Sequence, residues 1–176
     1  KLLERLNKKR TIISANAMSC QVKTAKKIIS KEADYLLAVK GNHPYLEKRV
    51  KEEFNSLHKP GPKQVNVESL KLTNEGHGRI ETRVCKVITP KYGKNFGVNP
   101  LDNWPNLNSI IEISSERIVK KTGVVSSEKR YYISSCRDNA EVLSEAVRGH
   151  WEVENKLHWV LDVVFREDDC RSRTGY

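Results

Sequence analysis

The chain has 176 residues, enough for one domain, and its hydrophobic share of 38% supports a core of its own. A charged share of 31% and a net charge of +10 point to a polyanionic partner such as nucleic acid. No apolar run approaches the roughly 20 residues of a membrane-spanning helix, so no membrane partner is expected.

The charge is unevenly spread. Residues 1–63 hold 15 Lys or Arg against 6 Asp or Glu, whereas residues 141–176 hold 5 against 8. A basic body with an acidic C-terminal part fits a polyanion binder that gathers carboxylates in one place. Cys20, Cys85, Cys136 and Cys170 form no Cys-x-x-Cys pair, which argues against a zinc ribbon and for reduced thiols. The N-terminal KLLERLNKKR is charged and amphipathic, unlike a signal peptide; with no initiating methionine, a fragment is expected.

In chain order, residues 2–9 have a short helical pattern. Thr11 to Met18 (TIISANAM) predicts a short, buried strand. Gln21 to Glu32 predicts a helix, with Val22, Ala25, Ile28 and Ile29 inward and lysines outward. Asp34 to Lys40 (DYLLAVK) predicts a second strand, closed by Gly41-Asn42. His43-Pro44 opens a helix to about Leu57. This strand–helix–strand–helix order predicts an α/β fold with a parallel strand pair.

After Lys59-Pro60-Gly61-Pro62 the pattern changes. Val65–Thr73, Arg79–Thr89, Ser109–Lys120 and Val124–Ser134 predict antiparallel strands. Tyr92 to Asn108 predicts a long loop anchored by Trp104. Asp138 or Asn139 can cap a last helix from about Ala140 to Val164.

That last helix carries the strongest chemical signal. Leu143, Val147, His150, Glu154, Leu157, His158 and Leu161 fall on one stripe. A carboxylate on a buried face is costly unless it is paired or bound to a metal. Three readings stay open. His150 and Glu154 can form a structural pair. His150, Glu154 and His158 can ligate a transition metal, although the order differs from His-Glu-x-x-His. Glu154 can instead hold Mg²⁺ for phosphoryl transfer, which needs a further carboxylate from a strand. The natural place for that group is the end of the first strand, where Asn16 sits.

Residues for a polyanion are also visible. His77, Arg79, Glu81 and Arg83 alternate at strand period on one face, and two arginines there can clamp phosphates. Lys40 follows the second strand, where ligands gather in open α/β sheets. Arg148 flanks the last helix and can meet DNA or offset acidic charge.

The segments ANAMSCQ (15–21), DYLLAVKGN (34–42), GHGRIETR (76–83), RYYISS (130–135) and RGHWEVENKLHWVLDVVF with EDDCRSR (148–173) carry a resemblance. Together they resemble the C-terminal part of a DDE transposase of a bacterial insertion sequence, in the branch of the H-repeat-associated proteins. The resemblance implies a partial ribonuclease-H-like core (1–59), a β-rich insertion (60–137) and a C-terminal helix with tail (138–176). It implies DNA transposition by Mg²⁺-dependent cleavage and strand transfer in the bacterial cytoplasm, at the nucleoid when on DNA. Glu154 matches the family's catalytic, metal-binding glutamate. Asn16 stands where the family has an aspartate, and the strand bearing the first aspartate is expected to lie upstream of this sequence. With one carboxylate of three, the chain is expected to be catalytically inactive and to bind Mg²⁺ weakly or not at all. The alternative is a non-catalytic DNA-binding or self-associating module that modulates an intact transposase. Without the neighbouring strand, residues 11–18 are expected to form an exposed edge open to self-association.

Overall fold

A computed structural model describes residues 11–60, 64–76, 78–91, 96 and 100–153. Among them, six strands form one mixed sheet in the order β1-β2-β6-β5-β4-β3. The strands are β1 (Ile12–Ala15), β2 (Asp34–Val39), β3 (Val65–Gly76), β4 (Arg79–Pro90), β5 (Ser109–Val119) and β6 (Val125–Ser134). Three helices pack on the sheet: α1 (Val22–Ile29), α2 (Pro44–Ser56) and α3 (Ala140–Val153). The class is α/β, as the strand–helix alternation predicted.

β1 and β2 are parallel, joined through α1, with Ile13 opposite Tyr35. β2 then pairs antiparallel with β6, Val39 opposite Tyr131. β3 to β6 form an antiparallel meander that continues the same sheet. Gly78 (φ 73°) and Gly123 (φ 68°) take the left-handed conformation that the two hairpin turns need.

Helices cover both faces. Ala25 and Ile28 of α1 and Leu46, Val50 and Phe54 of α2 pack with Tyr35, Leu37, Ile110 and Ile133 on one face. Leu143 and Val147 of α3 pack with Leu36, Val87, Ile111 and Tyr132 on the other. The alternation along β2 sends Leu36 to one core and Leu37 to the other. Each fully buried aliphatic side chain contributes about 1.5–3 kcal/mol. Trp104 is buried in the α1–α2 core, so it does anchor the long loop.

Several boundaries move for local reasons. β1 stops at Ala15, not Met18, because Asn16 caps a 3-10 turn over Ala17–Ser19. α1 stops at Ile29, not Glu32. Glu32 adopts φ 55°, and the amide of Ala33 returns to the Ile28 carbonyl, a helix-terminating bond. α3 starts at Ala140 as expected: Asn139 Oδ1 accepts from Val142 N at 3.0 Å, and Glu68 Oε2 on β3 accepts from Ala140 N at 3.1 Å. The second bond ties the start of α3 to the edge strand, a contact between residues far apart in sequence.

Candidate functional site

Two cavities meet at the place where β2 ends and β6 runs on. The smaller, about 120 Å³, is lined by Asn16, Lys40, Glu47, Lys129, Arg130, Tyr131 and His150, among others. It therefore draws on the ends of the parallel strands β1 and β2 and on α3. Asn16, Lys40 and α3 were each singled out from sequence for different reasons, and the fold brings them to one cavity. His150 stands four residues before Glu154 in sequence. Glu154 and His77 themselves lie outside the described residues.

Asn16 is fixed from two sides. Its Oδ1 accepts from Ser19 N at 3.2 Å, closing the 3-10 turn. The loop after β2 then clamps that turn. Asn42 Nδ2 donates to the Ala17 carbonyl at 2.6 Å, and the His43 ring meets the Cys20 carbonyl through Nε2. The edge of the His43 ring rests against Trp104 with centroids 5.9 Å apart. Gly41-Asn42 is thus more than a turn: it fixes the neighbouring strand's exit.

The described residues do not by themselves make a divalent-cation site. Oδ1 of Asn16 is taken by Ser19, and Lys40, Lys129 and Arg130 bring positive charge to the cavity. Glu128 is held by Arg130 in two bonds of 2.6 and 2.9 Å, and that bond first, with nearby cations, keeps its carboxyl below the usual range despite partial desolvation. Among the described residues no three His, Cys, Asp or Glu side chains come together in a metal-ligand group.

The larger cavity, about 420 Å³, is a groove between α3 and the outer sheet. Arg83, Arg117, Arg130 and Arg148 line it, with Glu81 and Trp151. Arg130 and Trp151 also border the smaller cavity, so the two are neighbours. Arg83 and Arg148, both expected from sequence, face this one groove, whereas Arg79 is exposed further out on β4. Arg117 and Arg130 were not singled out. Each sits in a strand that reads as an ordinary amphipathic run, and only the cross-strand register exposes their role.

Carboxylates orient these arginines. Glu81 Oε1 accepts from Arg83 at 3.0 Å and lies 3.6 Å from Arg117. Burial pushes the Glu81 carboxyl up, but the Arg83 bond and the charges of Arg83, Arg117 and Arg79 outweigh it and hold it below the usual range. Arg148 pairs with Glu152 one turn on, at 3.4 Å. The guanidinium of Arg130 stacks on the Trp151 ring.

On the opposite face, Glu112 is a buried carboxylate that the sequence pattern hid inside a strand. It accepts from Lys129 and from the Tyr131 hydroxyl, both at 3.2 Å. Burial, then Glu112, pushes the Tyr131 hydroxyl up to about 12.

The family model of the transposase DDE domain matches residues 1–175. The chain belongs to the transposase DDE domain family. Its relatives agree. A protein named YbfL from Escherichia coli (strain K12) is 39% identical over 99% of this chain and 45% of its own length. "H repeat-associated putative transposase YhhI" of the same strain is 38% identical over 99% of this chain and 45% of its own length. The chain thus spans less than half the length of these relatives. No solved structure matches. Among the described residues, no helix of this DDE-domain chain is long and apolar enough to cross a membrane.

Proposed function

We propose that this chain is part of the DNA-cutting and strand-joining machinery of a bacterial mobile element, built on a ribonuclease-H-like core. One observation carries the reading: Asn16, Lys40 and His150 line a single cavity, and His150 precedes Glu154 by four residues in sequence. In two-metal phosphoryl transfer, carboxylates from separate elements converge on the reacting phosphate. Position 16 and Glu154 are the two places this chain offers. Residues 1–59 and 138–176 form the core in this reading, and residues 60–137 are an insertion whose strands lengthen the core sheet.

Mg²⁺ belongs to this function, but Asn16 offers one neutral oxygen, already engaged by Ser19. Mg²⁺ normally takes one or two carboxylates plus substrate phosphates. The chain is therefore inactive in cleavage on its own, and its part is to hold DNA. Lys40, Arg79, Arg83, Arg148 and His77 serve phosphate contact, the bacterial nucleoid being the place of action. A nicking assay on element-end DNA with Mg²⁺ or Mn²⁺ tests this: no turnover is expected, and robust turnover overturns the inactivity.

A second reading is favoured by the position of β1. It is the edge strand of the described sheet, and Ile12 and Ile13 are only half buried. An open edge invites another chain, so a self-associating module that modulates an intact transposase is the alternative. Sedimentation decides: a monomer at high concentration removes this reading, and a concentration-dependent dimer supports it.

A further inference from the structure

At the far end of the sheet from β1 lies β3, which pairs with β4 alone among the described strands. Its 12 residues run from Val65 opposite Pro90 to Gly76 opposite Arg79 without a skipped position in the register. All but Val65 and Leu70 are exposed. The outer row of backbone N–H and C=O groups on β3 therefore has no strand beside it among the described residues. Edge strands are normally kept apart by shortness, bulges, prolines or several lysines. β1, the other edge, is only four residues long. β3 is about twice the usual strand length of 5–6 residues. It has no bulge, no proline and one lysine, Lys71. Alternation puts Val67, Lys71, Thr73 and Glu75 on one face, and Glu68, Leu70, Leu72 and Asn74 on the face that meets α3.

We infer that β3 docks against the β3 of a second copy of this chain, antiparallel about a two-fold axis at Thr73, so that two sheets join into one. The inference stands apart from the DNA-cutting reading and uses the opposite edge from the β1 alternative. Two antiparallel copies of one edge are related by an axis normal to the sheet, which keeps each face on its own side. Residues facing each other across the joint are therefore both odd-numbered or both even-numbered. Of the charged residues of β3, which are Glu68, Lys71 and Glu75, only Lys71 and Glu75 combine that match with opposite charge. An axis at Thr73 sets Lys71 across from Glu75 twice and Thr73 across from Thr73, all favourable cross-strand pairs. An axis at Glu68 or Lys71 would set like charges face to face. The Thr73 register overlaps residues 70–76 and leaves Glu68 outside. Because Glu68 holds the first amide of α3, the two α3 helices, which lie on the same face, start clear of the joint. Glu75 already reaches Lys120 through Oε1, and its second oxygen, on a side chain 63% exposed, is the one offered to Lys71 of the other copy. So short a joint makes a weak dimer that depends on concentration.

Cysteine cross-linking reads the register directly. In a Cys170→Ser background, Thr73→Cys sets two thiols across the axis with Cα atoms about 4.5–5.5 Å apart, within disulfide range. The change gives up one exposed hydroxyl contact with Thr82, and Cys20, Cys85 and Cys136 are buried. Mild oxidation is expected to yield a covalent dimer. Val67→Cys, exposed on the same face but outside the joint, is expected to yield little. Sedimentation equilibrium supplies a second arm. Lys71→Glu and Glu75→Lys each set like charges across the joint and are expected to weaken the dimer roughly tenfold. Together they restore opposite charges and are expected to recover it, which a merely damaged strand would not do. Lys27→Glu, exposed on α1, is expected to leave the dimer unchanged. A Thr73→Cys chain that stays monomeric overturns the inference, as does equal cross-linking at Val67→Cys or a charge swap without recovery. Cross-linking from Ile13→Cys but not from Thr73→Cys also overturns it and moves the association to β1. Each of these outcomes leaves the DNA reading standing.

Discussion

The guanidinium carbon of Arg130 lies 3.2 Å from the centre of the Trp151 ring, and the indole nitrogen of Trp151 donates to the Tyr132 hydroxyl at 3.0 Å. Arg130 and Tyr132 are two apart on β6 and so share a face. Trp151 is on α3. The stack therefore fastens the C-terminal half of α3, beyond the apolar contacts of Leu143 and Val147, to the strand that borders both cavities.

The stack should register as a measurable coupling. Trp151→Ala removes a half-buried aromatic and is expected to cost about 2 kcal/mol. Arg130→Ala loses the ring contact and the two Glu128 bonds, at about 1 kcal/mol. The double variant should cost less than the sum of the two, by about 0.5–1 kcal/mol. Urea denaturation followed by circular dichroism gives the cycle. Full additivity means the stack holds nothing.

The clamp across the two strand exits gives a second expectation. Asn42→Ala removes the donor to the Ala17 carbonyl and should cost about 1 kcal/mol. The loss should be local, so hydrogen exchange at Ser19 and Cys20 should quicken while the amides of β5 keep their protection. Uniform quickening across the sheet contradicts a local clamp.

Acid should weaken the groove in a direction that follows from Glu81. Its folded carboxyl titrates below the usual 4.5, so the unfolded chain takes up protons first as the pH drops. The stability contributed by the Glu81 pairs is present above about 4.5 and is lost as pH falls through the folded value. Glu81→Gln should flatten that acid limb in melts taken from pH 6 downward, and an unchanged acid limb refutes the assignment. Thiols give the opposite sign. Burial raises Cys20 and Cys85 to about 12, so iodoacetamide at pH 8 should leave both unmodified until the chain unfolds.

How much of this was legible beforehand depends on the range of the interaction. Elements set by local pattern came through: the alternation of DYLLAVK, the inward face of α1 and the cap at Asn139 all lie within a few residues of sequence. The end of β1 did not: the 3-10 turn capped by Asn16 cuts the strand short of the expected Met18. Long-range pairing was the least visible. Nothing local marks Glu68 as the partner of Ala140, or Arg117 as the neighbour of Glu81, because both depend on strand register. The site followed the same rule. Asn16 and Lys40 were readable because strand ends are predictable positions, whereas Arg130 needed the pairing of β2 with β6 to place it.

The position of Asn16 itself allows a sharper experiment. As a cap it uses one oxygen, on Ser19 N. Aspartate caps as well as asparagine, so Asn16→Asp should leave stability within about 0.5 kcal/mol. The new carboxylate can keep that bond with one oxygen and turn the second to the cavity shared with Lys40 and His150. If position 16 and Glu154 face one another, the variant should bind Mn²⁺ more tightly than the parent, measured by electron paramagnetic resonance. Adding Glu154→Gln should abolish the gain, because a hard cation held by one carboxylate in a cavity rich in Lys and Arg gains too little to shed its water. A gain that survives Glu154→Gln places the ion elsewhere. No gain in Asn16→Asp, in a variant that melts like the parent, separates the two positions and removes the physical basis for reading them as one centre.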